Sequence, residues 1–169
     1  MTHALIVWPE YAELIQVGYK CYEVRSYRPP SSLIGKRIAI YASKKPPKKE
    51  NIDRINRQIR SLQAGNDAMF YRGPGHVTGS VKGAIVATAK LERCYECTTA
   101  QAFEYTKKNH FAPTELFKTP CYWWYLKEVI PCDPVCIDAP RGAVKWFILT
   151  EADNALKDKI EKDKLRIKS

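Results

Sequence analysis

The sequence feature that most constrains the fold is a series of short apolar runs, each bounded by glycine, proline or charged residues. Their length and their content of β-branched and aromatic residues are typical of β-strands. The runs predict strands over residues 4–8, 20–26, 37–43, 82–93, 121–130 and 144–149. The pattern over residues 81–94 is the longest of them.

Helices are predicted between and after these strands. Pro9 suits the first turn of a helix, and Gly18 suits the position just after its C-terminus. Apolar spacing and a threonine cap predict three further helices, over residues 50–62, 99–107 and 151–169. One helix within a series of strands, with the others at the periphery, predicts an α+β fold whose sheet closes into a barrel.

Composition favours one soluble domain with an anionic partner. The chain has 169 residues, 45% of them apolar, and Lys and Arg outnumber Asp and Glu by 28 to 18. The resulting net charge of +10 favours RNA, DNA or nucleotides, although a basic pI is common among small proteins. No apolar run is long enough for a membrane span, and the first residues lack a secretory pattern, so we expect a cytoplasmic protein.

The six cysteines raise the question of a metal site. Cys94 and Cys97 form a CxxC pair, and Cys132 and Cys136 form a CxxxC pair, which is a spacing that zinc sites use. Neither pair has a glycine turn, and Pro134 interrupts the second. Reduced thiols are therefore the favoured interpretation, and we expect no metal and no cofactor.

A dense basic stretch surrounds the predicted helix over residues 50–62. Its cations are either a solvated charged face or a surface for phosphates, and the two interpretations have equal weight. The candidate phosphate contacts are Lys44, Lys48, Lys49, Arg54 and Arg57. The glycines of residues 65–80 predict a loop, which lacks the ending of a Walker phosphate-binding motif.

Lys20, Glu23 and Arg25 stand at the start of the second predicted strand. Glu23 and Arg25 share one strand face, with Lys20 at its entrance. Judged from the residues alone, a salt-bridged trio that orients the strand is favoured over a ligand site. A lysine beside a carboxylate can also act as an acid, a base or a phosphate clamp, and we expect Lys20 itself to contribute little to stability.

Aromatic and hydroxyl groups at neighbouring strand ends extend this candidate site. Tyr41 and Ser43 close the strand over residues 37–43, and Trp8 closes the first strand. Aromatic rings near cations suit the stacking of nucleobases. Trp123 and Trp124 must face opposite sides of their strand, so one of them belongs to the core.

The segment from Gly18 to Arg25 matches the GxKxxExR signature of ASCH domains. The chain resembles this family over about residues 4–150, with a basic helical insertion at about 45–80 and a C-terminal helix over 151–169. The resemblance implies a PUA-like closed or partly open β-barrel of about five to six strands with peripheral helices.

The same resemblance implies nucleic-acid binding, RNA rather than DNA, through a cleft beside the signature that accepts a base or nucleotide. It also favours the ligand-site interpretation of the trio. Some relatives are enzymes: one group deacetylates N4-acetylcytidine with a Lys, a Thr and a Glu, and another cleaves RNA. The match places Lys20 at the lysine and Glu23 at the threonine, while the family's glutamate falls near Asn109. Lys20 and Glu23 are thus the catalytic candidates if the protein is a hydrolase, and a basic protein-interaction domain is the third alternative.

Overall fold

The structure is a computed structural model that describes residues 3–150. A six-stranded mixed sheet has the strand order β2-β5-β4-β3-β1-β6. Its strands are β1 (His3–Val7), β2 (Tyr22–Arg25), β3 (Arg37–Ala42), β4 (Ala84–Glu96), β5 (Tyr122–Cys136) and β6 (Trp146–Ile148). The helices are α1 (Pro9–Gln16), α2 (Lys49–Ala64), α3 (Ala100–Tyr105) and α4 (Lys107–His110). Only β1 and β3 pair in parallel among these strands.

The sheet curls into a half-barrel, which confirms the predicted α+β, PUA-like architecture. The pairing of β4 with β5 shifts register at three places, and such irregularities bend and twist strands. Trp124 of β5 stacks on Trp146 of β6 with ring centroids 5.1 Å apart, although three strands separate β5 from β6 in the sheet. The edge strands β2 and β6 do not pair with each other, so the barrel is partly open.

The barrel interior is filled by side chains from the sheet and from α1. Trp124 is fully buried and Trp123 half-buried, as expected for neighbours on opposite strand faces. Ala12 and Ile15 of α1 pack into the same core. The strand residues of this core include Leu5, Ile38, Ile40, Val86, Leu91 and Leu126.

The turn after α1 delivers the signature to the start of β2. Gly18 has φ +84°, a left-handed conformation that glycine adopts without strain, so the predicted cap is confirmed. The backbone N–H groups of Tyr19 and Lys20 both donate to Leu14 O, at 2.9 and 3.0 Å. The chain therefore reverses tightly and places Lys20 beside the barrel.

The segment of residues 45–80 packs on α1 through one apolar cluster. Ile55 and Ile59 of α2 are fully buried there, as the helical spacing predicts. Tyr71 and Val77 anchor the loop that follows α2 to the same cluster. The predicted helix over 99–107 is present as α3 and α4, with Thr99 Oγ1 capping Ala102 N at 3.1 Å. The helix predicted over 151–169 lies outside the described residues.

The longest strand pattern of the sequence, over residues 81–94, does not correspond to the longest strand of the structure. β5 runs for 15 residues, against 13 for β4. The sequence obscures this because Pro131 and Pro134 interrupt the strand pattern. β2 pairs with β5 only over Tyr122–Tyr125, so the two prolines lie where β5 has a neighbouring strand on one side and tolerates a missing donor.

Candidate functional site

A cleft of about 860 Å³ opens between β2 and the C-terminal ends of β1 and β3. It brings together most of the residues singled out in the sequence. The predicted site residues that line the cleft are Trp8, Lys20, Glu23, Arg25, Tyr41, Ser43, Lys44 and Lys48. Lys49, Arg54 and Arg57 lie outside it.

Lys20 is buried at the floor of the cleft, with 2% of its surface exposed. Its Nζ donates to Tyr22 O at 2.6 Å and to His110 O at 2.8 Å, and lies 3.2 Å from Glu23 Oε2. An ammonium has three N–H donors, and these three acceptors account for all of them. Burial lowers the pKa of Lys20, and the Glu23 carboxylate opposes this shift.

The expectation that Lys20 contributes little to stability assumes a solvated side chain, and the burial of Lys20 contradicts that assumption. A lysine at the start of a strand is ordinarily solvated, but here the turn at Gly18 and the covering residue His110 enclose the ammonium. Burial of a charge is tolerated only when the charge is paired and hydrogen-bonded. Lys20 is therefore a structural element of the cleft floor.

Glu23 is held between two cations. Its Oε2 faces Lys20, and its Oε1 lies 2.8 Å from Arg25 Nη2. Burial raises the pKa of Glu23, but the nearby charges of Lys20 and Arg25 outweigh burial, so the pKa falls below its usual value. Glu23 is consequently ionised at neutral pH, and each oxygen keeps acceptor capacity beyond its bond to a cation.

Arg25 spans from β2 to β1 across the open side of the barrel. Its Nη2 donates to Ile6 O at 2.7 Å, and its guanidinium lies 5.9 Å from the Trp124 ring centroid. The Nε of Arg25 is buried and has no hydrogen-bond partner among residues 3–150.

Hydroxyl groups line the cleft beside this trio. Ser43 Oγ is buried and, in the described part of the chain, lacks a hydrogen-bond partner. The Tyr11 hydroxyl accepts a 2.8 Å bond from Arg54 Nη2, which leaves its own proton for another acceptor. The Tyr41 hydroxyl donates to Ile137 O at 3.2 Å. Ser43 and Tyr11 thus offer hydrogen-bonding capacity that residues 3–150 do not use.

Trp8 forms an aromatic wall flanked by lysines. The Nζ atoms of Lys45 and Lys48 lie 5.2 and 5.0 Å from the centroid of its ring. On another wall, Lys145 Nζ lies 3.9 Å from the Tyr27 centroid. Aromatic surface beside positive charge therefore occurs on two sides of the cleft.

The charge of the lining is strongly one-sided. Among residues 3–150, seven cationic side chains line the cleft, against the single carboxylate of Glu23. The cations are Lys20, Arg25, Lys44, Lys45, Lys48, Lys118 and Lys145. Lys44 also pairs with the exposed Asp138. Such an excess attracts anions into a concave site.

Sequence reasoning missed one side of the cleft mouth. Lys118, Val144 and Lys145 come from loops, and Leu116 ends a short 3-10 helix over Thr114–Leu116. Leu116 and Val144 line the cleft and are 63% and 74% exposed. No local pattern marks these residues, because their position depends on how the loops before β5 and β6 fold back. The sequence offers one weak signal, an apolar residue close to a lysine in each segment: Leu116 before Lys118, and Val144 before Lys145.

The three predicted phosphate contacts outside the cleft differ in their surroundings. Arg54 faces inward, where it donates to Phe111 O at 2.7 Å and to the Tyr11 hydroxyl. Lys49 forms an exposed ion pair of 2.8 Å with Asp53. Arg57 is exposed.

His110 supports the floor from behind. Its Nδ1 accepts a 2.9 Å bond from Ala112 N, so the proton is on Nε2, which donates to Phe103 O at 2.8 Å. Burial lowers the pKa of His110 to about 4. Asn109, the position to which the family's glutamate aligns, does not line the cleft, and its backbone oxygen accepts from Cys21 N.

The cysteines are free thiols. Cys97 and Cys121 lie next to each other, with Cys97 N donating to Cys121 O at 2.8 Å. Within residues 3–150 no group of three or more His, Cys, Asp or Glu side chains could hold a metal ion. Among the same residues, no helix is long and apolar enough to cross a membrane.

The fold and the site together define the class of protein: a partly open, PUA-like barrel with a cationic cleft beside a Lys–Glu–Arg trio. The family profile described as the ASCH domain matches residues 5–135, and the chain belongs to the ASCH domain family. A comparison with curated proteins finds no match.

Solved structures of an ASCH protein from Zymomonas mobilis share this fold. A serine-to-alanine mutant of that protein aligns with a TM-score of 0.57 at 15% identity, covering 93% of this chain and 94% of the other. The protein crystallised as ASCH gives 0.56 at 15% identity, with 91% of each chain covered. A tyrosine-to-phenylalanine mutant gives 0.57 at 14% identity, over 93% and 96%.

Proposed function

We propose that this protein binds nucleic acid, RNA in preference to DNA, and takes one base or nucleotide into the cleft. The observation that carries the proposal is the excess of seven cations over one carboxylate, counted over the described residues, in a cleft with aromatic walls. Phosphates account for the need for positive charge, and base faces account for the aromatic rings.

The polar groups at the floor suit a base or a ribose. Glu23 can accept from an N–H group of a base edge. Arg25 Nε and Ser43 Oγ are buried without partners among the described residues, and a buried polar group ordinarily requires one. A ribose 2′-hydroxyl both donates and accepts, so it can satisfy such groups, and this supports RNA over DNA.

The walls suit stacking and phosphate contacts. Lys45 and Lys48 accompany the Trp8 ring, so a base on this ring has two cations near its phosphate. Elsewhere in the lining, Leu116 and Val144 give apolar contact beside Lys118 and Lys145. A nucleotide with neighbours on both sides fits this arrangement better than a small inorganic anion does.

The alternative, a hydrolase on RNA or a modified nucleoside, has less support from the geometry. A proton donor at Lys20 needs a free N–H, and all three are engaged. A general base works best with a pKa near the working pH, whereas neighbouring cations lower the pKa of Glu23. The trio therefore supports binding more than proton transfer.

The test compares two tryptophans. Trp8→Ala removes the wall of the cleft, and Trp123→Ala removes a half-buried tryptophan that stacks on Tyr22 outside it. We expect Trp8→Ala to weaken single-stranded RNA binding by about 1–3 kcal/mol, the usual loss for one stacked base. Trp123→Ala should leave affinity unchanged once both variants are shown to be folded.

RNA and N4-acetylcytidine are assayed for product formation in parallel. Absence of RNA and nucleotide binding at low salt, or equal effects of the two substitutions, would refute the proposed function. Turnover that is lost in Lys20→Met and Glu23→Gln variants that remain folded would favour the hydrolase alternative.

A further inference from the structure

We propose that the ligand is a single strand of about six nucleotides, which leaves the cleft along the exposed face of α2. This inference rests on the proposed function and specifies its substrate class: an oligonucleotide rather than a free nucleotide. It concerns a surface outside the cleft.

The start of α2 lies at the cleft. Lys48, directly before the helix, and Asn51, in its first turn, both line the cleft. An α-helix rises 1.5 Å per residue, so Arg60 is about 18 Å along the axis from Lys48. The helix therefore gives a straight path away from the site.

One face of α2 carries the groups that would follow such a strand. Lys49, Asp53, Arg57 and Arg60 are four, four and three residues apart, which places them on one side of the helix. Arg57 and Arg60 are exposed, and neither guanidinium forms a hydrogen bond or ion pair with any residue between 3 and 150. The buried residues of α2, Ile55 and Ile59, lie on its other side.

Not every arginine of α2 is exposed, and Arg54 is the counterexample. Its two nitrogens bond Phe111 O and the Tyr11 hydroxyl, so this arginine holds α2 against the barrel. Arg57, one turn later, has no such acceptor in the part of the chain that the structure describes. The helix thus separates a structural arginine from two arginines with free donors.

The length of the path sets the length of the ligand. A stacked strand advances about 3.4 Å along its axis per nucleotide, so a path of about 18 Å corresponds to about five nucleotides. With one nucleotide in the cleft, the site would cover about six nucleotides. An acidic protein segment would also be attracted to Arg57 and Arg60, but continuity with the aromatic wall at Trp8 favours RNA.

The first experiment measures binding of single-stranded RNA from one to ten nucleotides. Affinity should rise up to about six nucleotides and then level off. The double variant Arg57→Ala/Arg60→Ala should bind a mononucleotide like the wild type and an octamer more weakly. Its log–log salt slope for the octamer should be flatter by about 1.4, since each phosphate contact on a single strand contributes about 0.7.

A charge-matched control removes Arg93 and Lys127, two exposed cations of β4 and β5 that do not line the cleft. Arg93→Ala/Lys127→Ala should keep the octamer affinity and its salt slope. An equal loss in both double variants would attribute binding to net charge and overturn the path along α2.

Substitution of Asp53 should change octamer affinity in the opposite direction. Its carboxylate pairs with Lys49 at 2.8 Å and stands in the middle of the proposed path. Asp53→Asn should strengthen octamer binding and steepen the salt slope by about 0.7, because Lys49 then becomes free for a phosphate. Mononucleotide affinity should stay the same.

The outcomes separate the two proposals. Wild-type octamer affinity in Arg57→Ala/Arg60→Ala, with nucleotide binding intact, overturns the path and leaves the proposed function standing. Absence of both nucleotide and RNA binding in the wild type overturns the proposed function. If a polyglutamate peptide displaces the octamer at equal charge concentration, the face of α2 binds protein rather than RNA.

Discussion

Arg25 Nη2 joins two strands that do not pair with each other. It donates a hydrogen bond of 2.7 Å to Ile6 O in β1, while Arg25 itself belongs to β2 at the other side of the sheet. The same nitrogen lies 2.8 Å from Glu23 Oε1. The same guanidinium therefore bridges the open side of the barrel and holds the Glu23 carboxylate in position. The cleft floor is set by the fold as a whole rather than by the signature alone.

Lys20→Met should unfold the protein at a lower urea concentration. The methionine is similar in length but leaves the Glu23 carboxylate with one cation and two carbonyl oxygens without a donor. Removing one partner of a buried ion pair costs about 3–5 kcal/mol, so we expect a loss of this size in the free energy of unfolding. Lys118→Ala, an exposed lysine of the same cleft, should change it by less than about 0.5 kcal/mol. Equal stability of Lys20→Met and wild type would show that the ammonium is solvated.

Ser43→Ala should weaken binding without weakening the fold. Ser43 Oγ is buried without a partner in the described structure, so its removal should leave the free energy of unfolding unchanged or raise it. Loss of one hydrogen bond to the ligand should cost about 0.5–1.5 kcal/mol of RNA affinity. Titration calorimetry and urea unfolding measure the two effects, with the exposed Ser32→Ala as control. If RNA affinity is unaffected, Ser43 does not contact the ligand.

Stability should fall as pH decreases from about 6.5 to about 4. Burial lowers the pKa of His110 to about 4 in the folded protein, from 6.5 in the unfolded chain. The unfolded state therefore takes up a proton throughout this window while the folded state does not, and protonation favours unfolding. The shift corresponds to about 3 kcal/mol, present above pH 6.5 and lost on acidification.

Urea unfolding at half-unit pH steps measures this dependence. His76→Gln, which changes an exposed histidine, should preserve it. A flat stability profile between pH 6.5 and 4.5 in both proteins would mean that His110 takes up a proton in the folded protein as readily as in the unfolded chain. In that case its Nδ1 could not accept from Ala112 N.

Arg54→Ala and Arg57→Ala should differ sharply in stability. Arg54 makes two hydrogen bonds to partly buried acceptors, and its loss leaves Phe111 O without this donor. We expect a cost of about 2–3 kcal/mol for Arg54→Ala and less than about 0.5 kcal/mol for the exposed Arg57→Ala. Thermal and urea unfolding of both variants measure this difference in stability. Similar stabilities would mean that Arg54 does not anchor α2.

Local sequence determined the elements of this protein and the composition of its central trio. The alternation of side chains along a strand placed Glu23 and Arg25 on the same face. Glycine takes up the left-handed turn at Gly18 without strain. The apolar spacing of α2 fixed Ile55 and Ile59 as its buried side. These features depend on neighbours in the chain, so they can be derived without knowledge of the fold.

Only the tertiary structure decided how exposed each charge is. Lys20 is buried because His110, ninety residues away, covers it, and Arg54 turns inward because Phe111 presents a carbonyl oxygen. Lys118 and Lys145 reach the cleft through loops with no regular pattern. The physical reason is that burial and pairing depend on contacts between distant segments, whereas periodicity reports only which side of an element a residue occupies.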